Sequence, residues 1–399
     1  MRLPGPTEAF ALFDDARVQG AAPARLYRDP VSVIAAWRME EVQPALDRIA
    51  EAREAGLHAA GYISYEAGLA LEDRLAPIAH RPPKGGPQAM PLLWFGLFEG
   101  CRFIPADGVA DLLPDPAAVS VDAPWPLVSE ADYRAQFDQV QELIRAGDIY
   151  QVNLTFPCEL RFAGDPMALY AALRPRAQAG YGGVINIGGH QILSFSPELF
   201  FTQVRGQLTA RPMKGTAVRD HDPERDAALA AELARDAKQR AENLMIVDLL
   251  RNDLSRVARA GSVTVPDLFK VETYPTVHQM VSTIRGRVLP GLAPVDVLRV
   301  LFPCGSITGA PKVRAMEIID ELEPVQRGIY GGACGYLSYA GDMDVAIAIR
   351  TGIIKDQVLY VQAAAGVVAD SVPEMEWRET EHKARALLRA AELVEEGLE

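Results

Sequence analysis

Residues 329–368 contain three successive strand-like segments joined by short turns, and this run most constrains the fold. The turns are predicted at Ala340-Gly341-Asp342 and Lys355-Asp356-Gln357. Turns this short join neighbouring antiparallel strands, because parallel strands need a much longer crossover. Strands grouped apart from helices predict an α+β fold rather than a repeating βαβ arrangement. The long helices are predicted at 130–146, 223–257 and 373–398.

The chain has the composition of a soluble globular protein. Its 399 residues are 49% apolar and 23% charged, which is enough for a large core in two or three domains, or in one composite domain. The net charge of −13 argues against nucleic acid or an anionic membrane surface as a partner. It does not exclude a small anionic substrate, since a local cation can override the global sign.

Targeting signals and disulfide patterns are not evident. No segment approaches the roughly 20 apolar residues of a membrane span, and the N-terminus lacks a signal-peptide pattern. The four cysteines are widely spaced and form no CxxC pair. We therefore expect reduced thiols and a cytoplasmic location.

An irregular stretch divides the chain into two regions. Residues 103–127 carry repeated Pro, Asp and Ala without a clear period, which favours a connection rather than an element. We therefore predict an N-terminal region at 1–127 and a second region at 128–399. The second region opens with Ser129, a suitable N-cap for the helix that follows.

A predicted hairpin brings a carboxylate close to an amine. Phe201 to Ala210 is predicted to form two short strands joined at Arg205-Gly206, which places residues near Glu198 opposite residues near Lys214. Cross-strand Cβ atoms lie roughly 5 Å apart. The pair can be a nucleophile with its acid/base partner, or it can be a cross-strand salt bridge.

Acidic residues on two helices suggest a metal site. Glu376, Glu379 and Lys383 share one face of the last helix, and Glu242 lies in an apolar helical stretch elsewhere. Two carboxylates from separate helices can bind Mg²⁺, which takes a few carboxylates plus waters and ligand oxygens. The alternative is a solvated Glu-Lys stripe on the last helix.

Three further features point to anion binding. Residues 305–312 form a Gly-rich turn before a helix and fail the spacing of a phosphate loop. They can still present backbone N–H groups and hydroxyls to an anion, or they can be a plain helix-entry turn. Arg350 is predicted in the middle of an apolar strand, where a buried guanidinium needs a carboxylate from the protein or from a ligand. Gly366 interrupts a strand where close backbone approach is needed.

Long segments of the chain, taken in order, resemble motifs of the chorismate-binding enzymes. That family includes the large subunit of anthranilate synthase, component I of aminodeoxychorismate synthase, and the isochorismate and salicylate synthases. The resemblance implies a large α+β fold with two facing antiparallel sheets and helices outside. It covers roughly residues 128–390, with a looser match before them. Its main segments are Ala241–Leu254, Gly305–Asp320, Arg327–Leu337 and Gln362–Lys383.

Two positions outside these segments imply which reaction of the family is catalysed. Lys214 stands where component I of aminodeoxychorismate synthase carries its lysine, whereas anthranilate synthases usually have alanine. Gln151 stands where the water-using members carry a general-base lysine. The resemblance therefore implies conversion of chorismate and ammonia to 4-amino-4-deoxychorismate, a folate precursor, with ammonia supplied by a glutamine amidotransferase subunit. Anthranilate synthase component I and a catalytically silent binding subunit are the competing interpretations.

The same resemblance assigns roles to the candidate residues. It implies Lys214 as nucleophile and Glu198 as acid. It assigns Mg²⁺ to Glu242 and Glu379, which would hold the ring carboxylate of chorismate. The other substrate-binding residues that it implies are Gly215, Thr216, Ser306, Tyr330, Arg350, Gly366 and Lys383.

One position departs from the family pattern. Many members have His immediately before the segment that matches Met280-Val281-Ser282, whereas this chain has Gln279 there and His278 one position earlier. Glutamine can hydrogen-bond a hydroxyl but cannot supply a proton near neutral pH. This departure puts more weight on Glu198 as the acid and leaves the role of His278 open. The tryptophan-binding motif of anthranilate synthases is not evident near the N-terminus.

Overall fold

The structure is a computed structural model that describes residues 3–81, 84, 90–122, 125–274 and 277–395. Short 3₁₀ turns join several elements. Its strands are β1 (Phe10–Asp14), β2 (Ala24–Arg28), β3 (Ser32–Ala36), β4 (His58–Ile63), β5 (Leu93–Phe98), β6 (Arg102–Ile104), β7 (Ser120–Val121), β8 (Trp125–Pro126), β9 (Gln151–Ala163), β10 (Tyr181–Asn186), β11 (Gln191–Ser196), β12 (Leu199–Val204), β13 (Gln207–Ala210), β14 (Met213–Val218), β15 (Thr264–Thr273), β16 (Val277–Arg287), β17 (Gly309–Ala310), β18 (Ala333–Leu337), β19 (Met343–Ile347), β20 (Thr351–Lys355) and β21 (Val358–Val367). Its α-helices are α1 (Met39–Glu54), α2 (Ala76–Ala79), α3 (Glu130–Ala146), α4 (Pro166–Ala177), α5 (Pro223–Leu233), α6 (Ala237–Ser255), α7 (Pro294–Leu301), α8 (Gly305–Thr308), α9 (Lys312–Leu322) and α10 (Pro373–Glu395).

The strands form two antiparallel sheets, which confirms the predicted α+β fold. The first sheet has the order β17-β9-β21-β20-β11-β10-β1-β2-β6, with β7 and β8 paired to β9. The second has the order β14-β16-β13-β12-β19-β18-β4-β5-β3, with β15 paired to β16. Apolar clusters from both sheets and their helices form the core.

Strands from both sides of residue 127 take part in each sheet. In the first sheet β1 pairs with β10, and in the second β4 pairs with β18. The division of the chain at residue 127 therefore stays a prediction. The helix after it is confirmed, because the Ser129 hydroxyl accepts the backbone N–H of Asp132 and Gly147 ends the helix with φ +82°.

Two predictions of secondary structure were wrong. The single helix predicted at 223–257 is two helices, since Asp236 interrupts it and caps α6 by accepting the N–H of Gln239 at 2.9 Å. The run at 329–368 holds four strands rather than three. The extra break falls at Arg350, whose backbone has a left-handed φ of +48° between β19 and β20.

The structure describes no helix that is both long enough and apolar enough to cross a membrane. All four cysteines are free thiols.

Candidate active site

The Lys214 amine crosses from the second sheet toward the first. A Cβ placed on Gly366 of β21 would lie 3.6 Å from Lys214 Nζ, 3.0 Å from Gln151 Nε2 and 3.4 Å from Asn153 Oδ1. Lys214 belongs to β14, while the other residues belong to the first sheet. The missing side chain at Gly366 therefore leaves a space into which three polar groups point.

Glu198 faces the same space from the link between β11 and β12. Ser306, at the start of α8, donates its hydroxyl to Glu198 Oε1 at 3.2 Å. Burial raises the pKa of Glu198 to about 7, against the opposing effects of Lys214, of Ser306 and of the Met213 backbone. At neutral pH this carboxyl is therefore poised to donate a proton.

The pKa of Lys214 is shifted in the direction that favours a neutral amine. Burial lowers it most, and the charge of Lys383 lowers it further, while Glu198, Glu242 and Glu379 act to raise it. Between Lys214 and Glu198 the structure forms no ion pair within 4.0 Å. The cross-strand salt bridge that the sequence left open is therefore not made, and burial shifts the pKa of both groups toward their uncharged forms.

Glu198 gives the ligand-free protein a predictable dependence of stability on pH. Because its pKa rises from 4.5 to about 7 on folding, the folded state keeps a proton that the unfolded state releases in this window. The free energy of unfolding should fall as the pH rises from about 4.5 through about 7, by roughly 1–3 kcal/mol. Glu198→Gln should lose this part of the slope, measured by denaturant unfolding of both proteins across the window. Parallel pH curves would contradict the assignment.

Glu242 on α6 and Glu379 on α10 both lie near enough to Lys214 for their charges to raise its pKa. Lys383 pairs with Glu379 at 2.6 Å and donates to the Ala364 carbonyl at 3.0 Å. The described residues contain no group of three or more His, Cys, Asp or Glu arranged as metal ligands. Two carboxylates leave most of an octahedral shell to water and substrate, so this donor set fits Mg²⁺.

Arg350 and Tyr330 are the cationic and hydroxyl residues that the resemblance assigns to the substrate, and of these Tyr330 lies near enough to Glu198 for its charge to act on the hydroxyl. Arg350 lies outside any strand, which corrects its predicted position inside a strand. The residue as a whole is exposed, whereas burial of its guanidinium lowers its pKa. Within the described chain no carboxylate pairs with it, so its guanidinium is free for a ligand. Tyr330 is buried, and burial raises the pKa of its hydroxyl. The hydroxyl therefore stays protonated and can donate a hydrogen bond.

His278 and Gln279 form hydrogen bonds to different parts of the structure. His278 is buried, with its ring nitrogens 3.0 Å from Thr273 Oγ1 and 2.9 Å from Asp226 Oδ1. Gln279 instead donates to the Gly215 carbonyl at 2.8 Å and accepts the Thr216 hydroxyl at 2.9 Å. Successive residues of a strand point to opposite faces. His278 therefore braces the β14–α5 connection, and Gln279 supports the segment after Lys214.

Two asparagines at the site were missed in the sequence. Asn153 donates to the Ser306 carbonyl at 2.9 Å, and it follows Gln151 by two residues on one strand, a spacing that predicts the same face. Asn243 donates to the Lys214 carbonyl at 3.2 Å. Its position directly after Glu242, in an apolar helix, was the available signal.

Comparison with known proteins identifies the family. The family model described as chorismate binding enzyme matches residues 8–389. Anthranilate synthase component 1 of Neisseria meningitidis is 44% identical over 270 residues, 68% of this chain and 55% of that protein. Aminodeoxychorismate synthase component 1 of Salmonella typhimurium is 47% identical over 265 residues, 66% of this chain and 58% of that protein. The chain thus matches a little over half the length of these curated relatives.

Solved structures show the same fold. Anthranilate synthase component I of Streptococcus pneumoniae superposes with a TM-score of 0.80 at 30% identity, covering 92% of each chain. The menaquinone-specific isochorismate synthase of Escherichia coli has a TM-score of 0.74 at 18% identity, covering 97% of this chain and 89% of that one, which supports the fold alone. The relatives carry two activity names at nearly equal identity. The matching family model and the relatives together show that this chain belongs to the chorismate binding enzyme family.

Proposed function

We propose that the chain converts chorismate and ammonia to 4-amino-4-deoxychorismate, in the route to 4-aminobenzoate and folate. The observation that carries the proposal is the Lys214 amine, which has no ion-pair partner among the described residues and points at the space over Gly366. An amine in that setting is a nucleophile. Two relatives are named aminodeoxychorismate synthase component 1, which agrees with this choice.

In the first half of the proposed reaction, neutral Lys214 attacks C2 of chorismate. The ring double bonds shift and the C4–O bond breaks. Glu198 donates its proton to the departing hydroxyl, which leaves as water, and then accepts the proton released by the new lysyl nitrogen. The pKa of about 7 for Glu198 suits both directions of transfer near neutral pH.

In the second half, ammonia attacks C4 and the double bonds shift back. The C2–N bond breaks, and Glu198 gives its proton to the lysyl nitrogen so that Lys214 leaves as a neutral amine. Glu198 then takes a proton from the new C4 ammonium, which restores the acid. The net change replaces the C4 hydroxyl by an amino group and releases water. Gln151 lies 3.0 Å from the position a Gly366 side chain would occupy, and its neutral amide cannot activate water as a base.

The substrate carboxylates are proposed to bind at opposite sides of the pocket. Glu242 and Glu379 would hold Mg²⁺, which supplies positive charge for the ring carboxylate. Arg350, Tyr330 and the backbone at Gly366 would receive the enolpyruvyl carboxylate. Gly215, Thr216 and Lys383 complete the walls. This local positive charge explains how a protein of net charge −13 can bind a dianion.

Product analysis tests the reaction. The purified chain is incubated with chorismate, Mg²⁺ and ammonium, and the products are separated and weighed by mass spectrometry. We expect 4-amino-4-deoxychorismate with the enolpyruvyl group intact. Anthranilate with one equivalent of pyruvate would establish the competing anthranilate synthase activity, and no turnover would favour a silent binding subunit.

The source of ammonia gives a separate prediction. The sequence shows no glutaminase nucleophile motif, so ammonium should support turnover at alkaline pH, where free ammonia is abundant. Glutamine should do so only after an amidotransferase subunit is added. The measurement compares initial rates with each nitrogen source, alone and with that subunit. Efficient use of glutamine by the purified chain alone would contradict this prediction.

A further inference from the structure

Lys214 lies in an irregular part of its strand. Met213 pairs with Val281 of β16, and the next pair is Thr216 with Gln279. Two residues of β14, Lys214 and Gly215, therefore stand opposite the single residue between those partners, which is a β-bulge. Gly215 has φ +96°, in the region that glycine adopts without strain. A bulge redirects a side chain, but it leaves backbone groups of the ladder unpaired.

Asn243 of α6 satisfies the groups that this bulge leaves open. Its amide donates to the Lys214 carbonyl at 3.2 Å and to the Met280 carbonyl at 3.5 Å. Asn243 is fully buried. One side chain thus contacts both strands of the bulge from the helix above.

A second hydrogen bond fixes which way the Asn243 amide faces. Ser282 donates its hydroxyl to Asn243 Oδ1 at 2.6 Å and accepts the N–H of Phe269 at 3.1 Å. Because the Ser282 proton goes to the amide oxygen, the amide NH₂ must point toward the carbonyls. These hydrogen bonds form a network in which each donor points toward the next residue, in the order Phe269, Ser282, Asn243 and Lys214. The last member is the backbone of the proposed nucleophile.

We propose that Asn243 is a positioning residue that fixes the backbone of Lys214 and so aims its amine at the reacting carbon. This inference rests on the proposed function, because it presumes that Lys214 forms the covalent intermediate. A misplacement of about 1 Å costs on the order of 10²-fold in rate. Loss of the Asn243 amide should therefore act on the covalent step and leave substrate binding nearly unchanged.

The primary test is Asn243→Ala, with Asn252→Ala as the matched control, because Asn252 is an exposed asparagine on the same helix. We expect kcat and the rate of adduct formation at Lys214 to fall about 10- to 100-fold. The dissociation constant for chorismate, measured by calorimetry with Mg²⁺ present, should stay within about threefold. Unchanged kcat and adduct formation would overturn the proposal, as would an equal loss in the Asn252→Ala control.

A double-mutant cycle separates positioning from general structural damage. In the Lys214→Ala background, Asn243→Ala should have almost no further effect on turnover, because the residue it positions is gone. A full additional loss would mean that Asn243 acts elsewhere, for instance through the neighbouring Glu242, and would refute the proposal. If Lys214→Ala alone changes nothing, it is the proposed lysine chemistry that fails, which is a different outcome.

Ser282→Ala keeps the test decisive should Asn243→Ala not fold. This variant retains the Asn243 amide and removes the hydroxyl that orients it. It should lower adduct formation and turnover by a smaller factor, roughly 3- to 10-fold for a network hydrogen bond, and the loss of turnover should vanish in the Lys214→Ala background. A loss that persists there would count against the positioning role.

Discussion

Glu198→Gln is expected to lower turnover by about 10²–10⁴-fold, more than Lys214→Ala does. Glutamine keeps the hydrogen bond from Ser306 but cannot give a proton to the C4 hydroxyl. The amide of Gln279 is hydrogen-bonded to Gly215 and Thr216, and an amide has no acidic proton to transfer. Lys214→Ala closes the covalent route, but it leaves Glu198 in place, so direct attack by ammonia should retain part of the activity.

The measurement is turnover at saturating ammonium for both variants, together with a search for a lysine-linked adduct in the unmodified protein by mass spectrometry. Lys270→Ala is the matched control, because Lys270 is an exposed lysine on β15. The adduct should map to Lys214 and be absent from Lys214→Ala. Full activity of Lys214→Ala without any adduct at Lys214 would show that the nucleophile assignment is wrong.

The hairpin that carries this pair was predictable from sequence because its turn is local. Arg205 and Gly206 both have positive φ, +48° and +75°, as a two-residue hairpin turn requires. Such a turn leaves one register, and Thr202 indeed pairs with Thr209. The approximate approach of Glu198 to Lys214 follows from that register alone. The absence of an ion pair between them does not, because register fixes backbone pairing and not the separation of the two charged ends.

The missed break at Arg350 shows where local patterns fail. The run from Val345 to Ile349 is apolar, and periodicity alone extends a strand through it. The backbone instead turns left-handed at Arg350, because the chain leaves β19 in the second sheet and enters β20 in the first. A change of sheet is a tertiary event with no signature in an apolar run.

The meeting of Lys214 with the first sheet at Gly366 also could not be predicted from local sequence patterns. Lys214 comes from the second sheet, whereas Gly366 and Asn153 are paired neighbours in the first. Spacing along the chain cannot say which residues meet across two sheets. The family resemblance supplied that grouping in advance. Asn243, which the resemblance did not single out, emerged only from its contacts.

Removing either proposed metal ligand should weaken Mg²⁺ and chorismate binding together. Glu242→Gln and Glu379→Gln each delete one of two carboxylates that act on the same pocket. A cost of roughly 2–4 kcal/mol is typical for disrupting a charged, partly desolvated site, which corresponds to about 30- to 1000-fold in affinity. Glu379 is paired with Lys383 in the ligand-free structure, so Mg²⁺ must compete with that ammonium. The two variants therefore need not lose equal amounts.

Calorimetric titration of Mg²⁺ with and without chorismate measures this coupling independently of turnover. Asp248→Asn on α6 and Glu374→Gln on α10 are the matched controls, because each removes an exposed carboxylate that pairs with an arginine on the surface. Both controls should bind Mg²⁺ and chorismate as the unmodified protein does. Since the metal and the ring carboxylate are proposed to share a site, each ligand should tighten the other by the same factor, and that factor should shrink in both glutamate variants. Unchanged Mg²⁺ dependence in Glu242→Gln and Glu379→Gln would leave the two carboxylates as a solvated acidic face rather than a metal site.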